Sequence, residues 1–362
     1  MSSDFGKNLR CTVFGQSHSP FIGIVLDGFP AGIALDDYAV KAFMARRAPG
    51  GGHGATARTE TDEVQIISGL AEGVTCGAPL CAVIANEDAN PADYAEIKDV
   101  LRPSHGDFTA LLKYGEAADR SGGGHFSGRL TAPICFGGAV AKQILAQKNI
   151  IIGAHVEAIG NIHDKAFDPV NVTADDLLDP SRYPFPTLNF GVGETMQAKI
   201  DLVAKKGDSV GGIIEAAAIN LPQGLGDPMF DGIENLLAKN LFGIPAVKGV
   251  EFGAGFRAAT MTGSQHNDAF TVVDGKIVTT TNHAGGILGG ITTGMPLILR
   301  VAIKPTPSIP LAQQTVHISD NTPATVEIKG RHDSCIVPRA VPVVESIIAL
   351  TVLDLMLGKG LI

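Results

Sequence analysis

Charge is scarce in this sequence. Only 18% of its 362 residues are Asp, Glu, Lys or Arg, whereas 45% are hydrophobic. That balance excludes a disordered chain and supplies material for a large core. Positive charge is the scarcer sign: 28 Lys and Arg stand against 37 Asp and Glu, for a net charge of -9. A broad basic face for nucleic acid is thereby argued against. Cysteine is sparse too. The five cysteines (Cys11, Cys76, Cys81, Cys135 and Cys335) form no C-x-x-C pair. They read as reduced, buried thiols, and no metal site is expected. No run of 18 uninterrupted apolar residues is present, which argues against a membrane span. Met1–Gly15 carries Asp4, Lys7 and Arg10 and lacks the apolar stretch of a signal peptide, so a cytoplasmic location is expected. Linkers and low-complexity tracts are missing as well. Length alone would allow two domains or one large one. A mean hydropathy of +0.20 suggests that surplus apolar surface goes into a subunit interface.

What is abundant is glycine, with 44 residues, and 21 prolines accompany it. Between these breaks, β-branched and apolar stretches predict strands at Phe21–Leu26, Val64–Ile67, Leu80–Ile84, Gly211–Ile219, Thr271–Thr280 and Leu297–Lys304. Helices are expected over Asp36–Arg47, Pro133–Lys148, Met229–Leu241 and Pro342–Leu357. The last has Pro342 near its start and Gly358 just past its end. It is apolar nearly all round, which predicts burial in a core or interface. A faint echo links Gly23–Ile33 (GIVLDGFPAGI) with Gly212–Leu225 (GIIEAAAINLPQGL). A duplicated pair of α/β halves would produce it.

The arginines cluster in Gly- and Pro-punctuated segments: Arg46, Arg47, Arg58, Arg102, Arg120, Arg129, Arg331 and Arg339. A planar guanidinium suits phosphate and carboxylate, so an acidic protein with arginines in such loops suggests a focused site for a small polyanion. The segment RSGGGHFSGRLTAP, Arg120–Pro133, has the glycines and following helix of a phosphate cradle. It is not a Walker A loop, because Arg129 and Leu130 stand where Lys and Ser or Thr are needed, nor does it match G-x-G-x-x-G. A flexible turn is the plain alternative. His18 in FGQSHSP and His105 in LRPSHGD sit in small-residue loops, where a histidine can transfer protons at neutral pH. Either alone would read as a turn histidine. The tract GRHDSCIVPRAVP packs Arg331, His332, Asp333 and Arg339 ahead of a buried helix, which core packing does not explain. HAGGILGG, His283–Gly290, suggests close backbone approach to a flat ligand or another chain. KPTPS, Lys304–Ser308, offers one cation and two hydroxyls in a rigid turn.

In this order along the chain, FGQSHSP, RRAPGG, RPSHGD, RSGGGHFSGR, PAVKGVEFGAGF, NHAGGILGG, KPTPS and GRHDSCIVPRAVP resemble the signatures of the chorismate synthase family, from Asn8 to about Leu357. The resemblance implies an α/β (α+β) sandwich over residues 1–362 as a single large domain with internal pseudo-twofold symmetry, assembled as a homotetramer. It also implies a lyase of the shikimate pathway. Phosphate leaves 5-enolpyruvylshikimate 3-phosphate by 1,4-anti elimination, and reduced FMN assists without net redox. NADPH is implied only as a possible external reductant. Nucleic acid and membrane partners are not expected.

Residue by residue, the resemblance implies that His18, supported by Ser17, protonates the departing phosphate, and that His105 protonates reduced flavin. Asp333 would relay a proton, with Ser127 also at the reaction centre. Arg47, Arg102, Arg129 and Arg331 would form the cationic wall around substrate. Flavin would meet His125, Phe126, Ser127, Pro245, Ala246, Gly289, Lys304, Pro305, Thr306, Pro307, Ser308 and Arg331. The departures are Gln16 and Ser19 in the first motif, His125 and Phe126 in the glycine loop, Pro307, and Ser334. They bear on flavin-phosphate affinity and NADPH handling. If His125 faced an anion, binding would weaken as pH rises. The alternatives are a related reduced-flavin lyase of the same fold and a non-catalytic flavin-binding protein.

Overall fold

The computed structural model describes residues 3–49, 61–86, 99–328 and 333–362. Two antiparallel five-stranded sheets enclose a layer of helices. The first sheet holds β1 (Asp4–Phe5), β2 (Arg10–Gly15), β3 (Phe21–Asp27), β4 (Val64–Ser68) and β5 (Leu80–Ala85) in the order β1-β2-β3-β5-β4. The second holds β6 (Ile151–Ile159), β7 (Ile162–His163), β8 (Gly212–Ile219), β9 (Val247–Phe252) and β10 (Leu297–Ile303) in the order β9-β10-β8-β6-β7. The principal helices are α1 (Asp37–Arg47), α2 (Asp107–Tyr114), α3 (Thr131–Ala146), α4 (Phe190–Lys205), α5 (Ile233–Leu241) and α6 (Val337–Gly358).

The duplication expected from the sequence echo is visible in this order. Two strands, a helix, two strands and a helix (β2, β3, α1, β4, β5, α3) recur as β6, β8, α5, β9, β10, α6. The strand order matches as well, β2-β3-β5-β4 against β6-β8-β10-β9. The echoing segments fall on β3 and β8, the equivalent second strands. Between the sheets α3 packs along α6, α1 touches both, and α5 lies on α6. One core cluster runs from Leu9 to Met356 through both sheets.

Placement between two sheets explains the composition of the two central helices. Thirteen of the 16 residues of α3 and 17 of the 22 of α6 are buried. Helix α6 is long and apolar enough to cross a membrane by length and composition, with a mean hydropathy of 2.0 over its most apolar stretch, yet that stretch is mostly buried inside the fold. The two helices approach closely where Gly138 faces Ser346: a Cβ on Gly138 would lie 2.2 Å from the Ser346 Cβ. The few charges in this layer are paired. Glu345, 1% exposed, accepts from Arg46 at 2.6 Å and from Lys142. Asp354 accepts the backbone N–H groups of Lys7, Asn8 and Leu9, fastening the N-terminal segment to α6.

Two expectations change. Thr271–Thr280 is a hairpin, Phe270–Val273 with Lys276–Thr279, turning at Asp274-Gly275, which both have positive φ. Helix α6 begins at Val337, so Pro342 lies inside it rather than near its start. Pro338 already occupies the first turn, where a missing N–H is harmless.

Candidate functional site

A cavity of 440 Å³ opens where equivalent parts of the two halves meet. The ends of α1 and α5 supply Arg47 and Pro49 on one side and Ile244, Pro245 and Ala246 on the other. The starts of α3 and α6 supply Ser127–Thr131, without Leu130, and Asp333, Ile336, Arg339, Ala340 and Val343. Arg102, Ser104, His105, Gly106 and the turn after β10 complete the wall. Because α3 and α6 both point their N-termini here, the helix dipoles add positive potential to that of the guanidinium groups.

Each arginine is oriented by hydrogen bonds. Asp36 caps α1 by accepting from Ala39 N–H at 3.0 Å, and Arg47 comes eleven residues later in the last turn. Its guanidinium donates to Asp62 at 2.5 Å and to Thr131 Oγ1 at 3.2 Å. Arg129 donates to the other Asp62 oxygen and to Asn86 Oδ1 at 3.0 Å. Burial opposes the charge on Asp62, but the two arginines outweigh it and hold the carboxyl below its ordinary range. Arg102 grips both oxygens of Asp107 at 2.7 Å each. Arg339 donates to both oxygens of Asp333, at 2.9 and 3.1 Å, and to the Arg47 carbonyl at 2.9 Å.

The two histidines bracket the glycine loop. Gly122, Gly123 and Gly124 all have positive φ, which only glycine adopts cheaply. A Cβ on Gly122 would strike the His18 ring and Ser17 Oγ at under 3 Å, and one on Gly123 would press on His105 at 3.3 Å. His105 Nδ1 lies 2.8 Å from Asp107 Oδ1, so that carboxylate orients the ring. Burial alone would raise the Asp107 carboxyl, but the Arg102 and His105 contacts prevail and hold it far below the carboxylate range. His18 pairs with Ser17 Oγ at 2.9 Å and stands directly behind Gly122, which itself lines the cavity.

The turn after β10 closes the opposite side. Lys304 donates to Ser104 O at 2.5 Å and Ser104 Oγ at 3.1 Å, joining segments 200 residues apart. Burial, with Lys248 nearby, lowers the Lys304 pKa. Thr306 Oγ1 is buried and has no hydrogen-bond partner among the described residues. Ala246 holds φ at 75°, a strained value for alanine at the wall. Phe126, 44% exposed, rides on Gly106 with its ring 3.5 Å from where a Cβ would be.

Of the residues expected at the site, Arg47, Arg102, His105, Phe126, Ser127, Arg129, Pro245, Ala246, Lys304, Thr306, Pro307, Ser308 and Asp333 meet at this cavity. Pro305 lies in the same turn but off the wall. Arg331 lies outside the described residues, as do His332 and Arg58. His125 turns away: its ring nitrogens meet Gly15 O and Ser3 Oγ, both at 2.8 Å. Gly289 is also off the wall. The glycines around it serve close approach of the chain to itself, with Gly285 against Gly253 and Gly290 against Gly232. Asp62 and Ser104 were missed. Arg339 stood in a noted tract without an assigned role; it lies in the first turn of α6, six residues after Asp333.

Comparison with known proteins agrees with this geometry. The family model described as chorismate synthase matches residues 9–357. A chorismate synthase of Korarchaeum cryptofilum is 47% identical over 350 residues, covering 97% of this chain and 96% of the relative. One from Dehalococcoides mccartyi is 44% identical over 362 residues, covering 100% and 98%. A crystal structure of chorismate synthase superposes with a TM-score of 0.76 at 28% identity, covering 98% of this chain and 93% of that one. Matched over almost its whole length in sequence and fold, the chain belongs to the chorismate synthase family of carbon–oxygen lyases.

Proposed function

We propose that this protein eliminates phosphate from 5-enolpyruvylshikimate 3-phosphate to give chorismate, with reduced FMN bound in the cavity. The observation that carries the reading is the convergence of Arg47, Arg102, Arg129, Arg339 and Lys304 on one cavity with His105 and Asp333. A substrate bearing one phosphate and two carboxylates matches that cationic wall.

The residues present also suit FMN. The buried Thr306 hydroxyl, without a partner among the described residues, offers donors to a phosphate or a hydroxylated chain together with Lys304 and Ser308. Phe126, Ile244 and Pro245 offer apolar surface to a flat ring system. Held there in reduced form, the cofactor would supply transient electron transfer to the substrate ring and a nearby acceptor for the hydrogen that leaves it.

This chain's own residues do the rest. Arg47, Arg102 and Arg129 bind and orient the anionic substrate. His18 holds a proton for the departing phosphate, with Ser17 fixing its ring at Nδ1. His105, anchored at Nδ1 by Asp107, presents Nε2 for proton exchange. Asp333, clamped by Arg339, accepts a proton at its carboxylate. Apolar wall residues Ile336, Ala340 and Val343 exclude water. In a homotetramer, exposed side chains such as Phe256, Phe230 and Phe270 would offer apolar surface for subunit contacts. A cytoplasmic location and NADPH only as external reductant complete the reading.

The test is an anaerobic assay with dithionite-reduced FMN and the enolpyruvyl substrate, followed by chorismate absorbance. Chorismate formation that requires reduced FMN is expected. Full turnover with oxidised FMN under strict exclusion of reductant, or none with reduced FMN, would sink the proposal.

A further inference from the structure

Two arginines of the cavity wall, carried by different elements, share one carboxylate that is not itself on the wall. Asp62 has a fully buried side chain and gives one oxygen to each, Oδ2 to Arg47 Nη1 and Oδ1 to Arg129 Nη1. Each guanidinium also donates to neutral groups: Arg47 to Thr131 Oγ1 and Gly128 O, Arg129 to Asn86 Oδ1 and Ala85 O. Asp62 adopts a φ of 51°, a left-handed conformation that aspartate tolerates better than most residues. Its charge leaves the three-residue group at +1 where the two arginines alone would present +2.

We propose that Asp62 is a positioning residue that fixes the spacing of Arg47 and Arg129 and withholds one positive charge from the cavity, so that inorganic phosphate binds weakly enough to leave after turnover. The proposal rests on the reading of this cavity as the site where phosphate is released. The substrate offers carboxylates as well as phosphate, so it engages several cations at once. The product phosphate is a small dianion whose affinity depends mainly on local potential. A site with uncompensated arginines would hold that product more tightly, and tighter binding of a released group does not speed chemistry.

The experiment compares wild type with Asp62→Asn and Asp62→Glu. Phosphate binding to the apo protein is measured by calorimetry, and kcat, KM and phosphate inhibition are measured with reduced FMN. Asp62→Asn removes a unit charge lying one side chain behind the wall, and its phosphate affinity should rise about tenfold, with stronger product inhibition and a lower kcat. Asp62→Glu keeps the charge but moves it. Its phosphate affinity should stay near wild type while kcat/KM falls. Should Asp62→Asn be poorly folded, phosphate must raise its melting temperature more than it raises that of wild type. Disruption of structure alone would weaken phosphate binding, so equal or weaker binding by Asp62→Asn, or no larger thermal rise, overturns the proposal. Failure of wild type to form chorismate would instead count against the proposed function, and the phosphate titrations would still decide the role of Asp62.

Discussion

Replacing Asp107 by Asn separates two duties that fall on one carboxylate. Oδ2 accepts from Arg102 Nε at 2.7 Å and from the Arg102 backbone at 3.2 Å; Oδ1 accepts from Arg102 Nη2 at 2.7 Å and from His105 Nδ1 at 2.8 Å. Asparagine keeps the shape but loses the charge and one acceptor. The Arg102 and Asp107 side chains are only 3% and 5% exposed, so solvent screens little of the loss. Breaking a buried ion pair from one side costs about 3–5 kcal/mol. With its anchor gone, the His105 ring is no longer held, and turnover should fall by about 10²–10⁴-fold. The pH dependence has a defined sign. A carboxyl held below its unfolded pKa of about 3.9 contributes its full stability above that value and loses it as pH falls toward the folded pKa. The stability gap between wild type and variant should stay level from about pH 7 to 5 and narrow below about pH 4. Urea unfolding across this range, with turnover alongside, measures both. A gap under about 1 kcal/mol at pH 7, or one that widens on acidification, would refute the reasoning.

Three further outcomes are expected. Gly138→Ala puts a methyl group 2.2 Å from Ser346 Cβ and should cost about 1–3 kcal/mol as α3 and α6 separate; an unchanged unfolding midpoint would contradict that contact. Glu345→Gln leaves Arg46 and Lys142 without their shared counter-ion and should destabilise by about 3–5 kcal/mol in chemical denaturation, whereas a loss below about 1 kcal/mol would show the pair to be dispensable. FMN affinity, titrated between about pH 5.5 and 8.5, should show no step due to His125, because both its ring nitrogens are engaged away from the cavity. Tighter FMN binding by His125→Arg would contradict that orientation.

The elements most readable in the sequence are those whose residues announce their environment. Phe21–Leu26 and Leu80–Ile84 are β-branched and apolar between turn residues, and they became β3 and β5. Strand β6 was not foreseen, since IIGAHVEAI carries Gly, Ala, His and Glu and is buried along nearly its whole length, so it shows no alternation. Its polar residues are tolerated because His155 pairs with Glu215 at 3.0 Å on the neighbouring strand, a partner 60 residues away. Helix α4 was missed for a local reason: Gly191 and Gly193 sit in its first turn, although Asn189 caps it. At the site, the glycine loop and the arginine and histidine motifs were legible because each segment is unusual by itself. Asp62 was not, because its meaning lies in two arginines at positions 47 and 129. His125 misled, because its ring is claimed by Ser3 across 122 residues.

The contact between Gly138 and Ser346 also bears on how the chain acquires its structure. Helix α3 is buried almost all round, yet its principal partner α6 lies about 200 residues further along. At 5–20 residues per second, a ribosome needs about 10–40 s to deliver that partner. Through that interval the first sheet can cover one flank of α3 while the flank destined for α6 remains open to water. A nascent chain in this state is a natural client for a chaperone, and the first half released without the second should be prone to aggregate. The duplication that builds a symmetric sandwich thus imposes an asymmetric order of assembly, in which the earlier half waits for the later one.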